Sequence, residues 1–335
     1  MAHTQKNSEK QLKRTLRQQL TAIIAPETRR LHLALFFAVV GALFFIGQSW
    51  LLAQLFVGLL NAAQQGSPLS EVFTLPHAAL LIMCFTLRPV SQYLRERLSQ
   101  TASLNARKSL RKKLLNTLAN LGPERQTLGA DGALSSQLLE QVDALDGYIS
   151  RYYVQLYLVL IVPVLISIAA FQYSALAAIL MLLTAPLVPV FMILVGSAAS
   201  RSSQQQMAAM SQLSSRFLDW VRGMPTLQHL KAVAQAQQDV DRSAADYRDS
   251  TMKVLRLAFL SGAVLELFSS IAIALVALYL GLGLLGILPW AKGVVPVPYA
   301  GALFILLLAP EFYAPLRQLG SDYHAKAEAE GAIEE

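Results

Sequence analysis

Six stretches of this chain are apolar over about the 20 residues that a helix needs to cross a hydrocarbon core roughly 30 Å thick. They lie at 33–59, 72–93, 152–171, 175–196, 254–285 and 298–316. No other feature restricts the fold as severely, because backbone polar groups in lipid must be satisfied within the segment itself and a helix does that. The expected fold is an all-α membrane protein with six transmembrane helices. Hydrophobic residues make up 54% of the 335 and charged residues 15%, a departure from soluble globular proteins in the same direction.

The charge pattern then orients the spans. A formal net charge of +7 would suggest a nucleic-acid partner in a soluble protein, but here the basic residues sit between apolar runs, so the expected partner is membrane lipid and not nucleic acid. Of the 28 lysines and arginines, 27 fall in 1–32, in 88–151, in 197–256 or after 316, and only Lys292 lies elsewhere. Under the positive-inside rule, both termini and both long loops are cytoplasmic. Residues 1–32 are too polar and too long for a cleavable leader. Leu12, Leu16, Leu20, Ile23 and Ile24 alternate there with Lys10, Lys13, Arg14 and Arg17, the pattern of a helix lying on the membrane surface; a solvated basic leader is the alternative. Cys84 is the single cysteine, so neither a disulfide framework nor a Cys-based metal site is expected.

The cytoplasmic loops 95–151 and 197–254 are nearly equal in length. Both are helix-forming, and each carries a Gly/Pro break near its centre, at Gly122-Pro123 and at Gly223-Met224-Pro225. Each is expected to be a helical hairpin reaching roughly 35 Å below the membrane at 1.5 Å per residue. External loops are short, most clearly at 172–174.

Six helices with two long, matched cytoplasmic hairpins resemble the transmembrane domain of ABC exporters (type 1, or type IV). Longer runs sharpen the resemblance: TAPLVPVFM at 184–192, RFLDWVRGMPTL at 216–227, VLRLAFLS at 254–261, LAPEFYAPLR at 308–317 and YHAKA at 323–327. With these, the chain resembles the D subunits of the heterodimeric cysteine/glutathione ABC exporters required for cytochrome bd assembly, known as CydDC. That resemblance implies a bacterial cytoplasmic (inner) membrane location and a homologous C subunit as heterodimer partner. It further implies a cargo of thiols (cysteine, glutathione) or haem, and hairpin tips seated on nucleotide-binding domains. The tip residues by this resemblance are Gly122, Pro123, Leu128 and Gly129 in the first hairpin, and Gly223, Met224, Pro225, Thr226 and Leu227 in the second. The expected organisation is an amphipathic segment at 1–32, the six-helix domain at 33–316, and at 317–335 an extension of the last helix leading to a nucleotide-binding domain. No G-x-x-x-x-G-K-[ST] phosphate loop occurs in the sequence, so ATP and Mg are expected to belong to that further domain, the chain being a fragment of a longer protein. No catalytic residue is assigned.

Polar residues inside apolar runs supply the site candidates. Glu266 lies 12 residues past Val254, about 18 Å into the fifth span, where a carboxylate should face protein or a water-filled cavity; a structural partnership with Arg88 or another buried polar group is the alternative. Arg88 precedes Pro89 near the inner end of the second span, where snorkelling to the interface is its default. Glu311 lies between Pro310 and Pro315, which should bend the sixth span as a hinge or as a static kink. Together these form a candidate substrate pathway. Tyr313, Arg317 and His324, with Tyr323 adjacent, share one face of the last helix and are candidate haem contacts, Arg for a propionate and His for iron; interface anchoring is the other reading. Gly281, Gly283 and Gly286 match the dinucleotide fingerprint, but no strand precedes them and close helix packing explains them better.

The alternative functional classes are an ion-coupled secondary transporter, for which one or two intramembrane carboxylates are too few, and a non-transporting membrane scaffold.

Overall fold

The computed structural model describes residues 15–16, 18–65, 74–122, 141–288, 293 and 295–334, with side chains at 188, 192–201, 203, 204, 207, 208, 211, 258, 261, 324, 327 and 334 outside the description. The described residues form α1 (Thr28–Gln65), α2 (Leu75–Leu121), α3 (Tyr153–Phe171), α4 (Ala175–Thr184), α5 (Leu187–His229), α6 (Val233–Leu284) and α7 (Tyr299–Glu334). A 3-10 turn, Ala25–Glu27, leads into α1; a helical turn at Val142–Ala144 and a π-helical turn at Tyr148–Tyr152 lead into α3. The chain divides into two units, Met1–Ala185 with Ala272–Glu335, and Pro186–Ile271.

Side-chain placement in the first unit is that of a protein whose solvent is lipid. On α1 most buried positions are small or polar (Ala34, Gly41, Ala42, Gln48, Ser49, Ala53, Ala62), with Leu31 and Leu51 beside them, while Leu33, Phe36, Leu43 and Phe56 are exposed. Lipid offers no hydrophobic drive toward the interior, so helices associate through small residues that let backbones approach. A Cβ at Gly41 would meet Ser91 Cβ at 3.6 Å, and one at Gly47 would meet Cys84 Sγ at 3.9 Å, which seats α1 on α2. α7 packs on α1, α3 and the π-helical turn.

Four helical stretches meet the length and hydropathy of a membrane span: Gln18–Gln65, Val142–Phe171, Val233–Leu284 and Tyr299–Ile333. The apolar stretch Ala175–Phe191 is shorter. The long apolar run of α2 lies in its first half, charged residues recurring from Arg95 onward, and the expected start of that span at residue 72 lies outside the described residues. The expected 175–196 span is interrupted at Ala185-Pro186, where α4 ends and α5 begins. Pro186 and Pro189 lack the N–H that would bond back one turn, and the Thr184 hydroxyl donates to the Leu180 and Met181 carbonyls at 2.9 and 3.0 Å.

Three expectations at the termini and hairpins meet different outcomes. The stripe Leu16, Leu20 and Ile24 is buried in protein, so this face of the N-terminal helix is not spread on the bilayer surface. α2 ends at Gly122, whose φ of 55° caps the helix; Pro123, Leu128 and Gly129 lie outside the described residues. The second break is not at Gly223-Met224-Pro225. α5 runs through all three to His229, and the chain reverses at 230–232, where Lys231 has φ 52°. A single proline removes one helix hydrogen bond and crowds one carbonyl, which a 43-residue helix absorbs; reversal needs a left-handed residue, and that is Lys231. Gln206 to Thr251 (3.1 Å) and Arg216 to Ser243 (3.2 Å) bracket that turn and zip the two arms together.

The glycine triplet closes α6. Gly286 is left-handed, Ile287 N–H donates to Leu282 O at 3.2 Å and Gly286 N–H to Gly283 O at 3.1 Å, the double bond of a Schellman C-cap. A Cβ at Gly283 would come within 3.2 Å of Pro296, in keeping with a packing role.

Candidate substrate cavity

Arg88 and Glu311 meet between α2 and α7. The guanidinium donates from Nη2 to Glu311 Oε2 at 2.9 Å and lies 4.1 Å from the centre of the Phe45 ring on α1. Arg88 therefore turns into the protein and does not snorkel, because a carboxylate and an aromatic face are within reach. It also takes Glu311 as its partner where Glu266 was the sequence-based alternative. α7 continues unbroken through Pro310 and Pro315, and Gln155 Nε2 on α3 donates to Pro315 O at 2.8 Å.

Glu311 borders a cavity of about 770 Å³ walled by α1, α2, α3 with its π-helical lead-in, and α7. Ala38, Leu158 and Val162 make one part apolar, whereas Arg95, Glu96 and Arg107 of α2, Asp146 and Arg151 of the lead-in to α3, and Asp322 of α7 charge the rest. Arg107 bridges Asp143 at 2.6 Å and Asp146 at 3.0 Å, Arg111 adds a second contact to Asp143 at 3.1 Å, and Ser103 donates to Asp146 at 2.7 Å. This network holds the lead-in to α3 against α2. The buried Asp322 accepts from Gln318 Nε2 at 3.2 and 3.3 Å. A polar-walled cavity of this size, inside helices whose outer faces are leucine and phenylalanine, suits a water-soluble cargo within a membrane.

The ABC transporter transmembrane region family matches residues 31–286. The chain belongs to that family. Among curated relatives of this ABC transmembrane region, Transport ATP-binding protein AarD of Providencia stuartii is 38% identical over 98% of the chain and 54% of its own length. Glutathione/L-cysteine transport system ATP-binding/permease protein CydD of Escherichia coli is 39% identical over the same shares. The similarly named CydC of Bacillus subtilis is 30% identical over 75% of the chain and 43% of its own length. The chain spans about half the length of the curated relatives it matches most fully.

Glu266 lies on α6 in the second unit with an exposed side chain. Tyr313 is fully buried, its hydroxyl 2.6 Å from Thr184 Oγ1 and its ring against Phe312; packing takes it out of any haem-facing surface. Arg317 is half-buried, Tyr323 is half-buried beneath the Lys326 ammonium at 5.5 Å, and the His324 side chain lies outside the described residues. Arg95, Arg151 and Asp322 were not singled out from the sequence. They lie on three elements far apart in the chain, and only a spacing of seven residues from Arg88 to Arg95, two helical turns along one face, hinted at the first.

Proposed function

We propose that this chain is the membrane half of an ATP-driven transporter of small thiols, glutathione or cysteine. The carrying observation is 39% identity along 98% of the chain to a relative named for glutathione/L-cysteine transport; the polar cavity agrees with it. In this reading six helices cross a bacterial cytoplasmic membrane, the apolar part of α2 and the interrupted α4/α5 segment supplying the two spans beyond the four that meet the full criteria. Both termini and both hairpins are cytoplasmic, and 317–335 leads toward a nucleotide-binding domain. The partner is a C-type half-transporter, since relatives of both the CydD and CydC names match. The hairpin ends at Gly122 and at 226–232 bear on the nucleotide-binding domains, Thr226 and Leu227 forming the last turn before the reversal.

The test is the full-length protein reconstituted with its C-type partner, with ATPase activity measured against glutathione, cysteine and haem side by side. Stimulation by either thiol supports the reading. Stimulation by haem alone moves the cargo to a porphyrin, with Arg317, Tyr323 and His324 as its contacts. No ATPase activity in the assembled pair returns the chain to an ion-coupled carrier or a scaffold.

A further inference from the structure

We infer that the charged end of the cavity is a carboxylate-binding site for an amino-acid or short-peptide ligand, with Arg95 and Arg151 as its anion clamps. The inference rests on the transporter reading above and assigns the residues that hold its cargo.

Three arginines line the cavity, and they are not equivalent. Arg107 is committed to Asp143 and Asp146. Arg95 and Arg151 make no hydrogen bond or close ion pair among the described residues; both act through space on the buried carboxylate of Asp322, which lines the same cavity. Glu96 lines the same wall, so the charges there balance overall, but the half-buried Arg95 and the exposed Arg151 keep their guanidinium donors available at the cavity wall. A planar guanidinium meets a carboxylate through two parallel hydrogen bonds, so a carboxylate is the ligand group this geometry suits best.

The same end also carries acceptors. Glu96 and Asp322 line it with the two arginines, so donors for a carboxylate and acceptors for an ammonium lie in one wall. That combination fits a zwitterion better than a simple anion. The apolar part at Ala38, Leu158 and Val162 leaves room for an uncharged side chain, and about 770 Å³ lies within the roughly 300–1,000 Å³ of small-molecule sites.

The backbone is arranged to present Arg151. It sits in the π-helical turn Tyr148–Tyr152, a rare geometry that concentrates at functional sites. Just before that turn, Gly147 has no side chain in the way: a Cβ there would stand 3.1 Å from Arg151 Nη2 and 2.7 Å from Ala325 Cβ. Gly147 thus lets the guanidinium fold over the backbone while α7 closes against the turn.

The experiment is calorimetric binding to the nucleotide-free, full-length heterodimer, with glutathione and glutathione diethyl ester as probes, on wild type, Arg95→Gln, Arg151→Gln, the two Arg→Lys variants and Arg248→Gln. Arg248 is an exposed residue of the second hairpin paired with Asp249 and serves as control. Masking the carboxylates is expected to weaken binding about tenfold or more, the worth of a charged hydrogen bond, without any mutation. Each Gln variant is expected to weaken glutathione by about the same factor, each Lys variant by less, and Arg248→Gln not at all. Wild-type affinity in both Gln variants, equal binding of the diester, or no glutathione binding by wild type overturns the site. ATP-driven transport by the wild-type pair, measured separately, decides the broader reading: transport with unchanged KM in both Gln variants removes the site and leaves that reading intact.

Discussion

Arg88 and Glu311 are 223 positions apart in sequence and 2.9 Å apart in space, and they tie α2 to the segment of α7 between its two prolines. The pair is neither fully buried nor open, with side chains 24% and 30% exposed. Its expected worth lies between the ~0–1 kcal/mol of a surface pair and the ~3–5 kcal/mol lost on breaking a buried one. Glu311→Gln and Arg88→Gln should each lower thermal stability of the detergent-solubilised protein by about 1–3 kcal/mol. The double variant should lose less than the sum of the two; strict additivity would show that the pair carries no energy of its own.

Two glycines mark close approaches that a methyl group cannot share. A Cβ at Gly301 on α7 would sit 2.6 Å from Cδ1 of Tyr173, in the short turn between α3 and α4, whose phenol accepts from Trp50 Nε1 at 3.0 Å, and the corresponding atom at Gly147 would meet Ala325 at 2.7 Å. Gly301→Ala and Gly147→Ala should each cost about 1–3 kcal/mol by overpacking. Gly281→Ala, facing open space, should be neutral or slightly stabilising. A melting series in which all three behave alike would contradict these contacts.

At the end of the second hairpin the decisive residue is Lys231. A left-handed L-residue costs about 1–2 kcal/mol, so Lys231→Gly should stabilise the hairpin and Lys231→Ile should destabilise it. Pro225→Ala should leave the turn in place and add protection to 221–229 in hydrogen exchange. Reversal at 223–225 in the wild type would instead appear as loss of protection there.

Topology is testable with introduced cysteines, since the native Cys84 is buried. Gln172→Cys, in the turn between α3 and α4, should react with an impermeant thiol reagent applied outside intact cells, and His229→Cys, at the end of α5, should not. Labelling at residue 229 from outside would invert the orientation derived from the basic residues.

What the sequence disclosed and what it withheld divide along the range of the interactions involved. Hydropathy and the glycine at 122 are local or additive signals, and they gave the helical membrane fold and the end of α2; the second hairpin was legible as a pair of helical arms, though not the position of its turn. Proline was an unreliable guide: Pro225, Pro310 and Pro315 all lie inside continuous helices, whereas Pro186, with Pro189 three residues on, marks an interruption. The difference depends on neighbours that replace lost hydrogen bonds, as Gln155 engages Pro315 O, and these are distant in sequence. The site shows the same limit. Glu311 was visible as a carboxylate in an apolar run, but its pairing with Arg88, the burial of Tyr313 against Thr184 and the convergence of Arg95, Arg151 and Asp322 all depend on which helix faces which.

On the proposed function, this transmembrane region carries small thiols across a membrane when driven by ATP. Inverted membrane vesicles bearing the full-length protein and its C-type partner, given radiolabelled glutathione or cysteine, test it most directly. The account predicts ATP-dependent accumulation that persists when ion gradients are collapsed and stops when ATP is replaced by a non-hydrolysable analogue. Accumulation that follows the ion gradient and ignores ATP, or no accumulation of either thiol by the assembled pair, would contradict it.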